Sequence, residues 1–279
     1  MKSIKAQEIH DAVRRMIMDA CRILPDDVYQ AFLRARDAEE LDSAKEVLTQ
    51  LIDNADLARS TELALCQDTG AAVFFVDYGD DVRIDGGHLE EILNAAMVEA
   101  YDKGFLRKSM CHPLTRKNTG DNTPAIIHTH VVPGETLRIR FMAKGGGSEN
   151  MSRIAMLKPA QGWKGIKEFV VRTIAEAGPN PCPPTIVGVG IGGTFDLAPA
   201  LAKKALFRPI GERNPNPEVA ALEEELLSAI NDLGIGPMGL GGKTTSLDVK
   251  VEMHPCHIAS LPVAVNVQCH SSRTKEVVF

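Results

Sequence analysis

The sequence predicts an α+β protein, with a helical N-terminal segment followed by a mixed, largely antiparallel sheet with packed helices. Three observations support this. The first sixty of the 279 residues repeat apolar positions at helical spacing. From Thr61 onward, strand-like runs alternate with amphipathic helical runs. At least two pairs of strands are joined closely enough to favour antiparallel pairing over the long crossovers of a doubly wound sheet. We read residues 1–279 as one domain, with a helical part at 1–60 and the functional part at 61–279.

The elements follow in order. Ile9, Val13, Met16, Ile17 and Ala20 share one face of a first helix, which we read from the N-terminus onward. Pro25 and the acids after it open a second helix in "PDDVYQAFLRARDAEE", and "SAKEVLTQLIDNADLA" is a third. "ALCQDTGAAVFFVDYGDD" reads as a turn and a strand at Val73–Val76. Leu89, Ile92, Leu93, Ala96 and Ala100 mark a helix. "PAIIHTHVV" and "ETLRIRFMA" are two strands joined across Pro133-Gly134. "GWKGIKEFVVRTIAEAG" is a helix stopped by Gly178 and Pro179, and "PEVAALEEELLSAINDLG" is a helix closed by Gly234. "TSLDVKVEMH" and "HIASLPVAVNVQC" are strands.

A net charge of −6 argues against a nucleic-acid partner, and an anionic substrate would need its own local basic groups. No run approaches the length of a membrane span, and the N-terminus lacks the apolar core of a signal peptide. The six cysteines are sparse for a disulfide framework, so reduced thiols in the cytoplasm are expected.

Two glycine motifs invite a nucleotide reading. Gly188, Gly190 and Gly193 spell G-x-G-x-x-G, which makes a nucleotide-binding oxidoreductase the alternative of a different class. The motif lies far from the first strand, and no strand ending in an acid follows it. "GPMGLGGKTT" resembles a Walker A loop, but Pro237 occupies the place of its first glycine. It reads either as a flexible loop or as one bringing Lys243 and backbone N–H groups to an anion. His128 and His130 share a strand face, where packing is commoner than metal ligation. His254, Cys256, His257 and Cys269 suggest zinc, without a C-x-x-C pair to support it.

Cys66, Cys182 and Cys269 each lie at a strand boundary beside a Gly, Pro or polar turn, whereas Cys21, Cys111 and Cys256 have plainer surroundings. Three thiolates fall one short of a tetrahedral site but suit a [4Fe–4S] cluster with one iron open. On the residues alone this is one hypothesis among several. Six ordered motifs then narrow it: "CQDTG", "RKNTGDNTPA", "KGGGSENMSR", "PCPPTIVGVGIGGTFDLAPALAKKAL", "GIGPMGLGGKTTSLDVKVE" and "HIASLPVAVNVQCHSSR". Together, from about Thr61 to Arg273, they resemble the N-terminal catalytic region of the class I iron–sulfur fumarate hydratases, a separate alpha subunit in two-subunit members. L-tartrate dehydratase alpha subunits are similar.

The resemblance implies an oxygen-sensitive [4Fe–4S] cluster held by Cys66, Cys182 and Cys269, its open iron acting as Lewis acid on a small dicarboxylate. The implied reaction is reversible hydration of fumarate to L-malate, a tricarboxylic acid cycle step, with dehydration of L-tartrate as the alternative. It implies substrate contacts from Gln67, Asp68, Arg107, Arg116, Gly146 and His257, with Asp68 in an acid/base or water-orienting role and His257 as an active-site histidine. Gly146 would let backbone N–H groups approach the substrate. Single-chain members continue into a second domain that completes the pocket. A separate beta subunit in a higher hetero-oligomer is therefore expected here, with little activity from this chain alone.

Overall fold

The computed structural model describes residues 1–279. The chain divides into two compact units, one formed by Met1–Pro25, Asn54–Gly146 and Arg273–Phe279, the other by Asp26–Asp53 and Gly147–Ser272.

In the first unit, β1 (Lys2–Lys5) precedes α1 (Ala6–Arg22), so the opening residues are extended where a helix was expected. Ile4 is the one apolar residue there, too short a pattern to signal a strand. It is buried as β1 pairs in parallel with β3 (Val82–Asp85). The main sheet of this unit contains β2 (Ala71–Gly79), β4 (Ile126–Val132), β5 (Leu137–Lys144) and β10 (Thr274–Val278), in the order β10-β5-β2-β4. Phe74, Val76, Leu137, Ile139 and Phe141 alternate inward from β2 and β5. They meet the apolar stripe of α1 and that of α4 (Leu89–Lys103). Phe74 and Phe141 are register partners whose rings lie 5.4 Å apart at 50°, a favourable tilted contact.

β4 and β5, separated by a short connection, do not pair with each other: β2 lies between them, parallel to β4 and antiparallel to β5. β2 is buried without a break from Ala72 to Val76, as a strand inside a sheet must be, so it takes the central place.

The second unit contains α2 (Asp26–Ala38) and a sheet of β6 (Arg153–Leu157), β7 (Thr185–Gly192), β8 (Ser246–His254) and β9 (Leu261–Gln268). α3 (Asp42–Thr61) begins in this unit and ends in the first. The sheet order is β6-β9-β7-β8, so the fully buried β7 separates β8 from β9, as β2 separates β4 from β5. Each four-stranded sheet thus has two antiparallel pairings and one parallel pairing, consistent with the α+β class. One sheet face packs α6 (Gly162–Ala177) and α8 (Pro217–Asn231) through Val170, Ile174, Leu222 and Leu226. The other face carries α7 (Leu197–Ala205) over Gly188, Gly190 and Ala264.

The G-x-G-x-x-G glycines therefore lie mostly inside β7. A Cβ on Gly188 or Gly190 would stand 2.0 Å from the carbonyl oxygen of Ala202 or Ala198. They bring the α7 backbone onto the sheet and leave no space for a phosphate. The connection from α7 to α8 is held by buried charge. Lys250 and Asp248, both essentially unexposed, pair at 2.8 Å, and Asp248 also pairs with Arg213 at 2.6 Å. No helix is long and apolar enough to cross a membrane.

Candidate active site

After α3, the backbone N–H of Leu65 donates to the carbonyl of Cys21, fixing the entry to the "CQDTG" turn. There Cys66 is half-buried, Gln67 is exposed and Asp68 is half-buried. The Asp68 carboxylate is heavily engaged. Oδ1 accepts from the Gly70 N–H at 3.1 Å and the Ser109 hydroxyl at 3.2 Å, and Oδ2 accepts from the Gly146 N–H at 2.8 Å. Burial alone would raise its pKa. The Gly146 and Gly70 N–H groups, the Ser109 hydroxyl and the Arg273 charge outweigh that and hold it below the ordinary aspartate value. Asp68 is thus a fixed carboxylate that joins "CQDTG" to Gly146 of the "KGGG" turn, the first residue of α5 (Gly146–Asn150). The Gly146 N–H is engaged by Asp68, so what this glycine contributes to a ligand is an exposed, side-chain-free backbone.

Buried polar groups support this turn from below. The Tyr101 hydroxyl donates to the carbonyls of Thr69 at 2.8 Å and Gly70 at 3.1 Å, and burial pushes its pKa well above the ordinary value, so it remains a donor. Asn122, fully buried at φ +69°, accepts from the N–H groups of Ser109 and Met110 and donates to the Gly70 carbonyl. Asparagine tolerates that left-handed backbone better than most residues. A Cβ on Gly70, at φ +69°, would meet the Lys144 carbonyl at 2.4 Å, so only glycine permits this approach.

In the second unit, Cys182 stands at φ +56°, a left-handed conformation that costs a non-glycine residue energy and persists where its surroundings enforce it. Its N–H donates to the Pro179 carbonyl at 3.0 Å, and its own carbonyl accepts from the His270 N–H at 3.3 Å. That bond brings the "PCPP" turn beside the segment that contains Cys269. The Cys269 sulfur lies 3.1 Å from the Ser271 hydroxyl. Next to it, Gln268 is 1% exposed and both atoms of its amide lack hydrogen-bond partners. The "GPMGLGGKTT" loop supports the same turn: the Met238 N–H donates to the Pro183 carbonyl at 2.7 Å, and a Cβ on Gly239 would strike Pro179. Lys243 pairs with Glu40 at 2.6 Å and its N–H donates to Glu39, so the flexible-loop reading gives way to a buttress.

The remaining expected residues lie in exposed loops. Arg107 and Arg116 are exposed in the first unit, Arg116 at φ +60°. His257 is exposed in the second, and its Nδ1 accepts the Ala259 N–H at 3.1 Å, which assigns the ring proton to Nε2. His128 stacks on Phe75 at 4.5 Å between ring centroids, which is a packing role. No three His, Cys, Asp or Glu side chains converge tightly enough for a single ion, so zinc at His254, Cys256 and His257 has no geometric support. Ser109, Tyr101, Asn122 and Arg273 were not anticipated. Asn122 and Arg273 lie inside quoted motifs, and Ser109 lies beside Arg107. What they hold depends on the fold.

Residues 10–278 match the fumarate hydratase (Fumerase) family. A Methanocaldococcus jannaschii protein, provisionally named L(+)-tartrate dehydratase subunit alpha, is 44% identical over 95% of each chain. The L(+)-tartrate dehydratase subunit alpha of Escherichia coli strain UTI89 is 36% identical over 90% of this chain and 84% of its own. A Shigella boydii protein of the same name is 35% identical over the same shares.

Proposed function

The chain belongs to the fumarate hydratase family of hydro-lyases, and from that premise we propose that it is the alpha subunit of an iron–sulfur enzyme that reversibly hydrates fumarate to L-malate. The observation that supports the cofactor part is the Cys182–His270 backbone bond, which ties the turn of one candidate thiol ligand to the residue that follows another, Cys269. The donor set fits a cluster: soft thiols at Cys66, Cys182 and Cys269, and the strained backbone of Cys182. The unpartnered buried amide of Gln268 beside Cys269 fits it as well. When bound, a [4Fe–4S] cluster supplies a Lewis acid for the hydroxyl being added or removed.

The rest of the reading concerns the chain's own groups. Arg107 and Arg116 are exposed cations suited to the substrate carboxylates. Gln67 offers an exposed amide, and the bare backbone of Gly146 allows close approach. Asp68, its lone pairs largely engaged, orients water or substrate and is not the proton-abstracting base. His257 presents an Nε2–H donor. The proton on the carbon next to the departing hydroxyl is taken by a group outside this set. The relatives named as alpha subunits support a separate beta subunit that supplies it and completes a heteromeric enzyme. Six free cysteines suit the reducing cytoplasm.

A second reading is dehydration of L-tartrate, favoured by the names of relatives that match over nearly the whole chain. Anaerobic co-purification with a beta subunit tests both. About four irons and four sulfides per chain, with turnover of malate or of L-tartrate, decides the substrate. Nicotinamide binding by a preparation free of iron would instead return the chain to the oxidoreductase class.

A further inference from the structure

Arg273 is the largest fully buried side chain of the protein, 1% exposed. A guanidinium is costly to bury unless its charge and donors are used. Its Nη1 donates to the backbone carbonyl of Asp68. Its Nη2 lies where a side chain on Gly145 would come within 3.2 Å, so the "KGGG" turn closes directly over the guanidinium. At its own backbone, the Arg273 carbonyl accepts from the Ala143 N–H at 3.0 Å, immediately before β10 begins. One residue thus connects the "CQDTG" turn, the "KGGG" turn and the end of "QCHSSR".

We propose that Arg273 is a positioning residue for the hydration reaction: it fixes the Asp68 peptide and carboxylate, and through them Gln67 and Gly146, without touching substrate. This rests on the fumarate hydratase reading of the site. The functional demand is for a planar fork. Lysine would keep the charge but, as a single ammonium, cannot serve the Asp68 carbonyl while filling the space beneath Gly145. A displacement of about 1 Å at a reacting group costs up to roughly 100-fold in rate.

The test compares wild type, Arg273→Lys and Arg273→Gln as full chains in complex with the beta subunit. Iron and sulfide content, kcat and KM on malate and L-tartrate are measured. Hydrogen–deuterium exchange is followed over residues 66–72 and 143–150. Arg273→Lys is expected to keep iron, sulfide and KM near wild type while kcat falls roughly 10- to 100-fold. Exchange should rise in those two segments alone, because the Gly70 and Gly146 N–H groups lose a fixed acceptor. Arg273→Gln should fall further in kcat. Wild-type kcat and exchange in Arg273→Lys would overturn the proposal, as would loss of iron in proportion to activity. The exchange measurement stands even if the wild-type complex turns over neither substrate, an outcome that would defeat the reaction assignment and not the positioning of Asp68.

Discussion

Replacing Cys182 by glycine and by alanine separates the strain at that residue from its thiol. Both changes remove the sulfur, and the two variants differ only in a Cβ. At an ordinary position glycine is the less stable by about 0.5–1 kcal/mol, because the unfolded chain gains freedom. Cys182 stands at φ +56°, however, and in that region a Cβ costs about 1–2 kcal/mol. The difference therefore reverses: Cys182→Gly is expected to be more stable than Cys182→Ala by roughly 0.5–1 kcal/mol. In urea this is a midpoint shift of about 0.2–0.5 M at the usual slopes. The assay is equilibrium unfolding of cluster-free protein under reductant, followed by circular dichroism. An alanine variant as stable as the glycine variant would refute the reasoning, because the backbone would then carry no penalty at this turn. It would also remove the argument that the turn is held against its preference in order to present a thiol.

Other perturbations follow from the packing and the charges. Gly190→Ala would place a Cβ 2.0 Å from the Ala198 carbonyl and force α7 off the sheet, costing about 1–3 kcal/mol; a melting temperature lowered by less than about 2 °C, the shift that 1 kcal/mol produces at this size, would contradict it. The Cys21 thiol is pushed up to about 11 by burial, so at pH 8 it stays unreactive toward a disulfide reagent until the chain unfolds, whereas exposed Cys256 reacts in the native state. Labelling followed by peptide mass analysis reads both. For Asp248, burial acts upward, but the Gly211 N–H, Lys250 and Arg213 outweigh it and depress the pKa below 3.8. Its contribution is therefore complete above pH 3.8 and lost as pH falls through the lowered native value. Asp248→Asn leaves Lys250 buried without its ion-pair partner, so it should destabilise by about 3–5 kcal/mol at pH 7, a penalty that shrinks as pH falls through the lowered native value of Asp248, measured by melts across an acid pH series.

Much of the helical framework was legible because burial writes its period into the sequence. α1, α4, α6 and α8 carry stripes long enough to read, as with Ile9, Val13 and Ile17. β1, β6 and β10 were not legible: they are four or five residues long, and long-range pairing, not composition, makes them strands. The order of the sheets was hidden for the same reason, since nothing local to β4 and β5 announces that β2 lies between them. At the site, Cys182 stood out through its prolines and Asp68 through its motif. The part played by Arg273 depends on which loops the fold brings over it, and no local signal in "CHSSR" reports that.

The place of β10 bears on how the protein is made. The sheet built from residues 71–144 has one edge, at β5, that is covered only by Thr274–Val278. On a ribosome the intervening second unit emerges before that strand does. Until then the edge of β5 offers unpaired backbone groups, a site where another chain could pair. Arg273 arrives with the same segment, so the Asp68 turn gains its last support only when the sheet is closed. Completion of the candidate catalytic loop is thereby tied to completion of synthesis: a nascent or truncated chain would hold the motif "CQDTG" through Tyr101, Ser109 and Asn122 but lack the Arg273 bond to its Asp68 carbonyl.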